Sequence, residues 1–238
     1  LTARPDVRRG ASFYHDDCPK LRFHIVSPPQ TALLLATLIS SPTWACKPAP
    51  AAPCSGAQLA RAKLAGLSLE GIALDGANLE WADLGGANLR GANLKGANLK
   101  HTRLKGADLS GARLDEADAG YANLTEAILV KASLRRTDLE NADLSQADLE
   151  RAVLEEATLT RTDLVGADLE DANMRRAALR GTFLDYANMK NADLSGAEID
   201  KAKMRGTWLK GATWADGKLC APGSVGECKP TFRRAKEP

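Results

Sequence analysis

From Leu59 onward a large apolar residue returns at every fifth position. The series runs Leu59, Leu64, Leu69, Leu74, Leu79 and on to Leu209, Trp214 and Leu219, 33 positions in one unbroken phase, with Ala119 the one small residue among them. Two residues before nearly all of them stands a small side chain, Ala in Ala77, Ala82 and Ala87 or Thr in Thr102 and Thr137. Asp or Asn commonly lies between, as in Asn78, Asp83, Asn88 and Asn93. A period of five fits neither the 3.6 of a helix nor the 2 of a plain strand, so the unit has to be a short extended piece followed by a turn.

Within such a unit the small residue and the Leu are two apart and share one face, while the Asp or Asn between them points the other way. The last two positions, often Gly or charged, turn the corner. Repetition wraps the chain around its own Leu core, each coil pairing its backbone with the next at ~4.8 Å. Composition agrees: hydrophobic content is 44% but aromatic content only 5%, because Ala and Leu carry the apolar fraction.

The repeated A-[DN]-L-x-x motif resembles the pentapeptide-repeat family over residues 57–219. The resemblance implies an all-β fold, a right-handed quadrilateral β-helix with four pentapeptides per coil. About eight coils then make a rod of roughly 40 Å, from the ~4.8 Å spacing of paired backbones. Ala119 is expected to leave a void in the Leu column, and Met174, Met189, Ile199 and Met204 to fill it adaptably elsewhere.

The ends do not repeat. Basic residues Arg8, Arg9, Lys20 and Arg22 precede a short apolar run, 31–39, and Thr43 and Ala45 place small residues at the −3 and −1 positions of a cleavage site. Residues 1–45 are therefore expected to be a signal peptide or leader. Residues 46–56 form a cysteine-bearing lead-in and 220–238 a C-terminal disulfide loop with a flexible tail. Cys46 and Cys54 precede the repeats, Cys220 and Cys228 follow them, and Cys18 falls within the leader. Two sequence-local pairs, one at each end of the rod, suggest two capping disulfides formed in an oxidising compartment, periplasmic or extracellular. If 1–45 is not a signal peptide, the protein is cytoplasmic. The ending W-A-D-G-K-L-C…G-S-V-G-E-C looks like that of exported pentapeptide-repeat proteins.

Catalytic chemistry finds little material. The three histidines are His15, His24 and His101, and the first two lie in the leader. A triad would have to recruit His101 from a corner of a regular coil. The glycines are corner residues and do not form a phosphate loop between strand and helix. The chain is expected to be non-enzymatic, with no catalytic or metal residues and no cofactor, so function falls to the outer faces.

Residues 20 apart should stack. One corner column then reads Arg61, Trp81, His101, Tyr121, Asn141 and Arg161, an aromatic ladder at Trp81, His101 and Tyr121. It is either a binding patch or ring packing that ties adjacent coils. Another column alternates Asp75, Lys95, Asp115, Arg135, Glu155 and Arg175, and its neighbour reads Glu116, Arg136, Glu156, Arg176. Opposite charges one rung apart are favourable pairs, and they independently point to a coil of four units. Residues 115–171 hold 15 acidic and 5 basic side chains. In this belt Asp118 should stack on Asp138, Asp143 on Asp163, Asp148 on Asp168, and Glu150 on Glu170. The carboxylates either bond their own turn backbone or bind a cation such as calcium weakly.

Three functions compete. The first is an exported structural or protein-interaction scaffold with an unknown protein partner. The second is a DNA mimic acting on an enzyme such as gyrase, as the resemblance allows. The repeat region balances at 22 basic and 25 acidic residues, and the Pro/Gly-rich tail offers no dimerising helix. The third is an adhesion or carbohydrate-binding module using Trp81, His101 and Tyr121. A monomer is expected, with no membrane span and no nucleic acid bound.

Overall fold

The computed structural model describes residues 48–229. These fall in the larger of two compact units, Pro42–Pro238. The leader, Cys46 and the tail beyond Lys229 lie outside the described residues.

Each pentapeptide repeats the same backbone. The Leu carbonyl accepts the N–H of the residue three further on, as in Ala82 to Leu79 at 2.9 Å, closing a β-turn. The third turn residue has positive φ, 62° at Gly96 and 58° at Lys131. This geometry accounts for the recurrent glycines, but nineteen non-glycine residues also adopt a positive φ. Each costs on the order of 1 kcal/mol in strain. The coil holds all but Lys201 there because their own amides bond the next coil, as Lys131 N–H does to Glu150 O at 2.9 Å.

Between turns, the Asp/Asn position forms a parallel bridge with the residue 20 further on, from Pro53 with Ala73 to Asp193 with Thr213. That register puts four pentapeptides in each turn of a β-helix. The bridging residue's N–H reaches back, as Asn98 N–H to Ala77 O at 2.9 Å, and the Leu N–H reaches forward, as Leu79 N–H to Asn98 O at 2.8 Å. Two of every five amides thus tie to a neighbouring coil through bridge and Leu, and the corner amide adds a third.

The interior is a stack of Leu columns lined by Ala. Leu69 through Leu194 are fully buried at the Leu positions, with Met174 and Met189 substituting, whereas Ile199 and Met204 are only partly buried. Five buried threonines replace Ala, and each hydroxyl donates to a Leu carbonyl of the preceding coil, as Thr137 Oγ1 does to Leu114 O at 2.7 Å. Thr102, Thr162, Thr182 and Thr207 repeat the bond. Burial of a hydroxyl is tolerated because it finds this acceptor.

Both ends differ from the expected 57–219. Among the described residues the parallel bridges begin at Pro53, after a corner at Ala51 whose N–H already bonds Glu70 O at 2.7 Å, and Cys54 fills a Leu position at 2% exposure. Pro53 has no N–H to donate backwards, and among the described residues no coil precedes it. At the other end the phase slips. The positive φ that belongs at 216 falls at Gly217 (80°), and Trp214 N–H closes onto Lys218 O at 2.7 Å. Leu219 is therefore 49% exposed and pairs antiparallel with Thr213. The following segment caps the last coil: Ser224 O accepts Leu209 N–H at 3.0 Å and Cys220 O accepts Gly211 N–H at 3.1 Å. Cys220 and Cys228 are joined by a disulfide, with Cα atoms 5.0 Å apart. Cys54 is also disulfide-bonded.

Candidate interaction surfaces

Corner residues one coil apart stand above one another, which assembles the aromatic ladder. The Trp81 and His101 rings stack at 4.1 Å and 11°, and His101 and Tyr121 at 5.2 Å and 21°. All three sit at the positive-φ corner. Trp81 is 53% and Tyr121 57% exposed, but the exposure is of edges and end faces. Both faces of the imidazole are covered by its neighbours. The geometry is that of cross-coil packing.

In the acidic belt, Asp118 bridges Asp138, Asp143 bridges Asp163, and Asp148 bridges Asp168. Like charges one rung apart are made tolerable by local bonds. Oδ1 of each Asp accepts the N–H two residues on: Glu140 to Asp138, Ser145 to Asp143 and Val165 to Asp163, each at 2.9 Å. Asp118, Asp148 and Asp168 accept Gly120, Glu150 and Glu170 in the same way. Glu150 lies 3.5 Å from Arg151, and Glu170 4.0 Å from Lys190. Among the described residues no group of three or more His, Cys, Asp or Glu side chains is placed to hold a metal ion. Lys100 Nζ sits 2.7 Å from Asp118, and this hydrogen bond holds the ammonium pKa above its ordinary value.

The alternating column is paired across rungs. Arg136 Nε donates to Glu156 at 2.8 Å, Arg176 approaches the same carboxylate at 3.5 Å, and Arg135 pairs with Glu155. The hydrogen bond from Arg136 keeps the Glu156 carboxyl below its usual range.

One cluster escapes a reading of the repeat alone. On the last coils Lys203 Nζ lies 4.5 Å over Phe183, Arg205 5.4 Å over Tyr186, and Lys190 4.9 Å over Trp208. Such cation–π contacts stabilise modestly at exposed sites. The register of 20 places Phe183 beside Lys203 and would have revealed that pair. Among the described residues no helix is long and apolar enough to cross a membrane.

The signature of the family Pentapeptide repeats matches residues 52–91, 92–129, 132–171 and 172–211. Among solved structures, HetL of the cyanobacterium Nostoc sp. strain PCC 7120, a pentapeptide repeat protein involved in heterocyst differentiation regulation, is 36% identical, with TM-score 0.51 over 68% of this chain and 78% of HetL. A pentapeptide repeat protein of the Arabidopsis thaliana thylakoid lumen is 32% identical over 42% of this chain and 67% of its own, with TM-score 0.34. QnrB1, a plasmid-mediated fluoroquinolone resistance protein, is 24% identical over 63% of this chain and 81% of its own, with TM-score 0.32. No curated protein sequence matches the chain significantly.

Proposed function

Because the chain belongs to the pentapeptide-repeat family, whose fold is a right-handed β-helix, we propose that it is an exported, non-catalytic scaffold that binds protein through its outer faces. It is a four-sided rod of about eight coils, since the 33 pentapeptide positions fall four to a coil. The observation that carries the reading is the continuous Leu and Ala interior, which leaves chemistry and recognition to side chains on a regular surface. His101, the one histidine among the described residues, is sandwiched between two aromatic rings and so is poorly placed as a general base. Export is supported by the signal-like leader and by bonded cysteines at the cap.

The experiment is cross-linking of the oxidised protein in the compartment where it resides, repeated with the belt reversed at Asp143→Lys and Asp163→Lys. The reading expects a defined protein partner that the reversed but folded variant loses. Unchanged partners would refute a role for this belt. Cytosolic fractionation with all thiols free would refute export.

The acidic belt alone favours the DNA-mimic reading. Basic rungs flank it, with Arg90, Lys95, Lys100, Arg103 and Lys105 on one side and Lys201, Lys203, Arg205 and Lys210 on the other. A DNA-like partner surface would have to be continuous. Gyrase supercoiling unchanged by excess protein would dispose of that reading.

A further inference from the structure

We propose that the face carrying Asp148, Asp168, Asn188 and Trp208 is a contact surface for a second copy of this chain, docked antiparallel about a twofold axis. The parallel bridges run Ile128, Asp148, Asp168, Asn188, Trp208 up this column, and Val225 of the cap adds an antiparallel bridge to Trp208. The column continues before Ile128 through Asp108, Asn88 and Ser68; within the stretch from Ile128 to Val225 the end residues are apolar, with Ile128 39%, Trp208 53% and Val225 52% exposed, and Asp148, Asp168 and Asn188 between them are polar. Two residues further along, at the first corner position of the same pentapeptides, stand Glu150, Glu170, Lys190 and Lys210, and the Asn188 amide donates to Glu170 Oε2 at 3.0 Å, so the two columns adjoin. The charges of the corner column read minus, minus, plus, plus.

A twofold axis lying in the contact plane, perpendicular to the rod and between the rungs of Glu170 and Lys190, maps each column onto itself in reverse order. Glu170 then meets Lys190 of the second copy, and Glu150 meets Lys210. Ile128 meets Val225, so the two exposed apolar ends cover each other. Asp168 meets Asn188, whose amide within one copy donates to Asp168 and Glu170 at 3.0 Å each, and Asp148 meets Trp208. In the neighbouring column Arg151 meets Gly211 and Asp171 meets Asn191, so no like charges oppose. In the monomer Lys190 is shared between Glu170 at 4.0 Å and the Trp208 ring at 4.9 Å, and Lys210 extends the positive end. A parallel pairing would set each carboxylate against its own copy and is disfavoured. A polyanion would meet the four carboxylates of Asp148, Glu150, Asp168 and Glu170 before any lysine.

The surface spans five rung intervals, about 24 Å at the backbone spacing. One face of that length is smaller than the ~800 Å² per partner of a standard interface, so the association is weak and rapidly reversible. It is also strongly weakened by salt, because rim charges are screened. The proposal departs from the monomer expected from the sequence.

The test uses the full oxidised chain in sedimentation velocity over a concentration series at low and high salt. Two variants are compared, Glu150→Lys/Glu170→Lys and Lys190→Glu/Lys210→Glu, with circular dichroism confirming that both fold. The wild type is expected to dimerise at low salt and dissociate at high salt. Each variant alone is expected to lose at least about tenfold in association, and their equimolar mixture to regain it as a heterodimer. Wild type that stays monomeric at low salt overturns the proposal. So do variants that dimerise like wild type, which would indicate end-to-end contact, and a mixture that fails to associate.

Discussion

Ala119 occupies a Leu position and is fully buried, in column with Leu99 and Leu139. The backbone has not closed around it: Leu99 N–H to Asp118 O and Ala119 N–H to Asp138 O are both 2.7 Å, matching undisturbed rungs. The volume of the missing isopropyl group is therefore not recovered by a shorter rung. Ala119→Leu adds three buried carbons, worth about 2 kcal/mol at ~0.8 kcal/mol per methylene. For a chain of this length that corresponds to a rise in Tm of about 4–8 °C, at 2–4 °C per kcal/mol. Chemical and thermal unfolding followed by circular dichroism measures both. A destabilised variant would mean that neighbouring Leu side chains have already moved into the space, and the argument from rung spacing would fail.

Other perturbations probe the remaining parts. Thr137→Val removes the hydroxyl bond to Leu114 O, and because that carbonyl still accepts Ala117 N–H at 3.0 Å the cost should be only about 1 kcal/mol in urea unfolding. Cys220→Ser/Cys228→Ser should loosen the cap by about 2–3 kcal/mol of loop-closure entropy. Hydrogen exchange should then quicken at Leu209 and Gly211 while Leu144, bonded to Asp163 O at 2.7 Å in mid-rod, is unaffected. Glu156 titrates below its ordinary value because of Arg136, so its contribution to stability is present above the usual carboxylate range and lost as pH falls through the depressed value. An NMR titration should show the Glu156 midpoint rising in Arg136→Ala; an unmoved midpoint contradicts the pairing.

The coil was legible because each Leu must refill the same interior space every fifth residue, and because Arg136 and Glu156 stand one rung apart on an otherwise solvated face. The ends were not. Cys54 breaks the visible motif while serving as a small apolar filler at a Leu position. Leu219 keeps the phase by coincidence, although the turn at Gly217 comes one residue late and throws it outward. Trp81, His101 and Tyr121 were recognisable as a column, but only the ring angles show that their faces are spent on each other. The opposition of Glu150 and Glu170 to Lys190 and Lys210 was present in the sequence, yet it acquires meaning only once two rods are laid against each other.

Scalar couplings transmitted through hydrogen bonds in isotope-labelled protein test the β-helix most directly, since each coupling names both donor and acceptor. The amide of Leu134 should couple to the carbonyl carbon of Val153, and that of Asp138 to Ala117, across bonds of 2.7 and 2.9 Å. Couplings at those offsets, repeated at every fifth residue along the rod, are the expected result. Couplings confined to residues three or four apart in sequence, or pairing coils at another offset, would contradict the fold from which every surface described above is built.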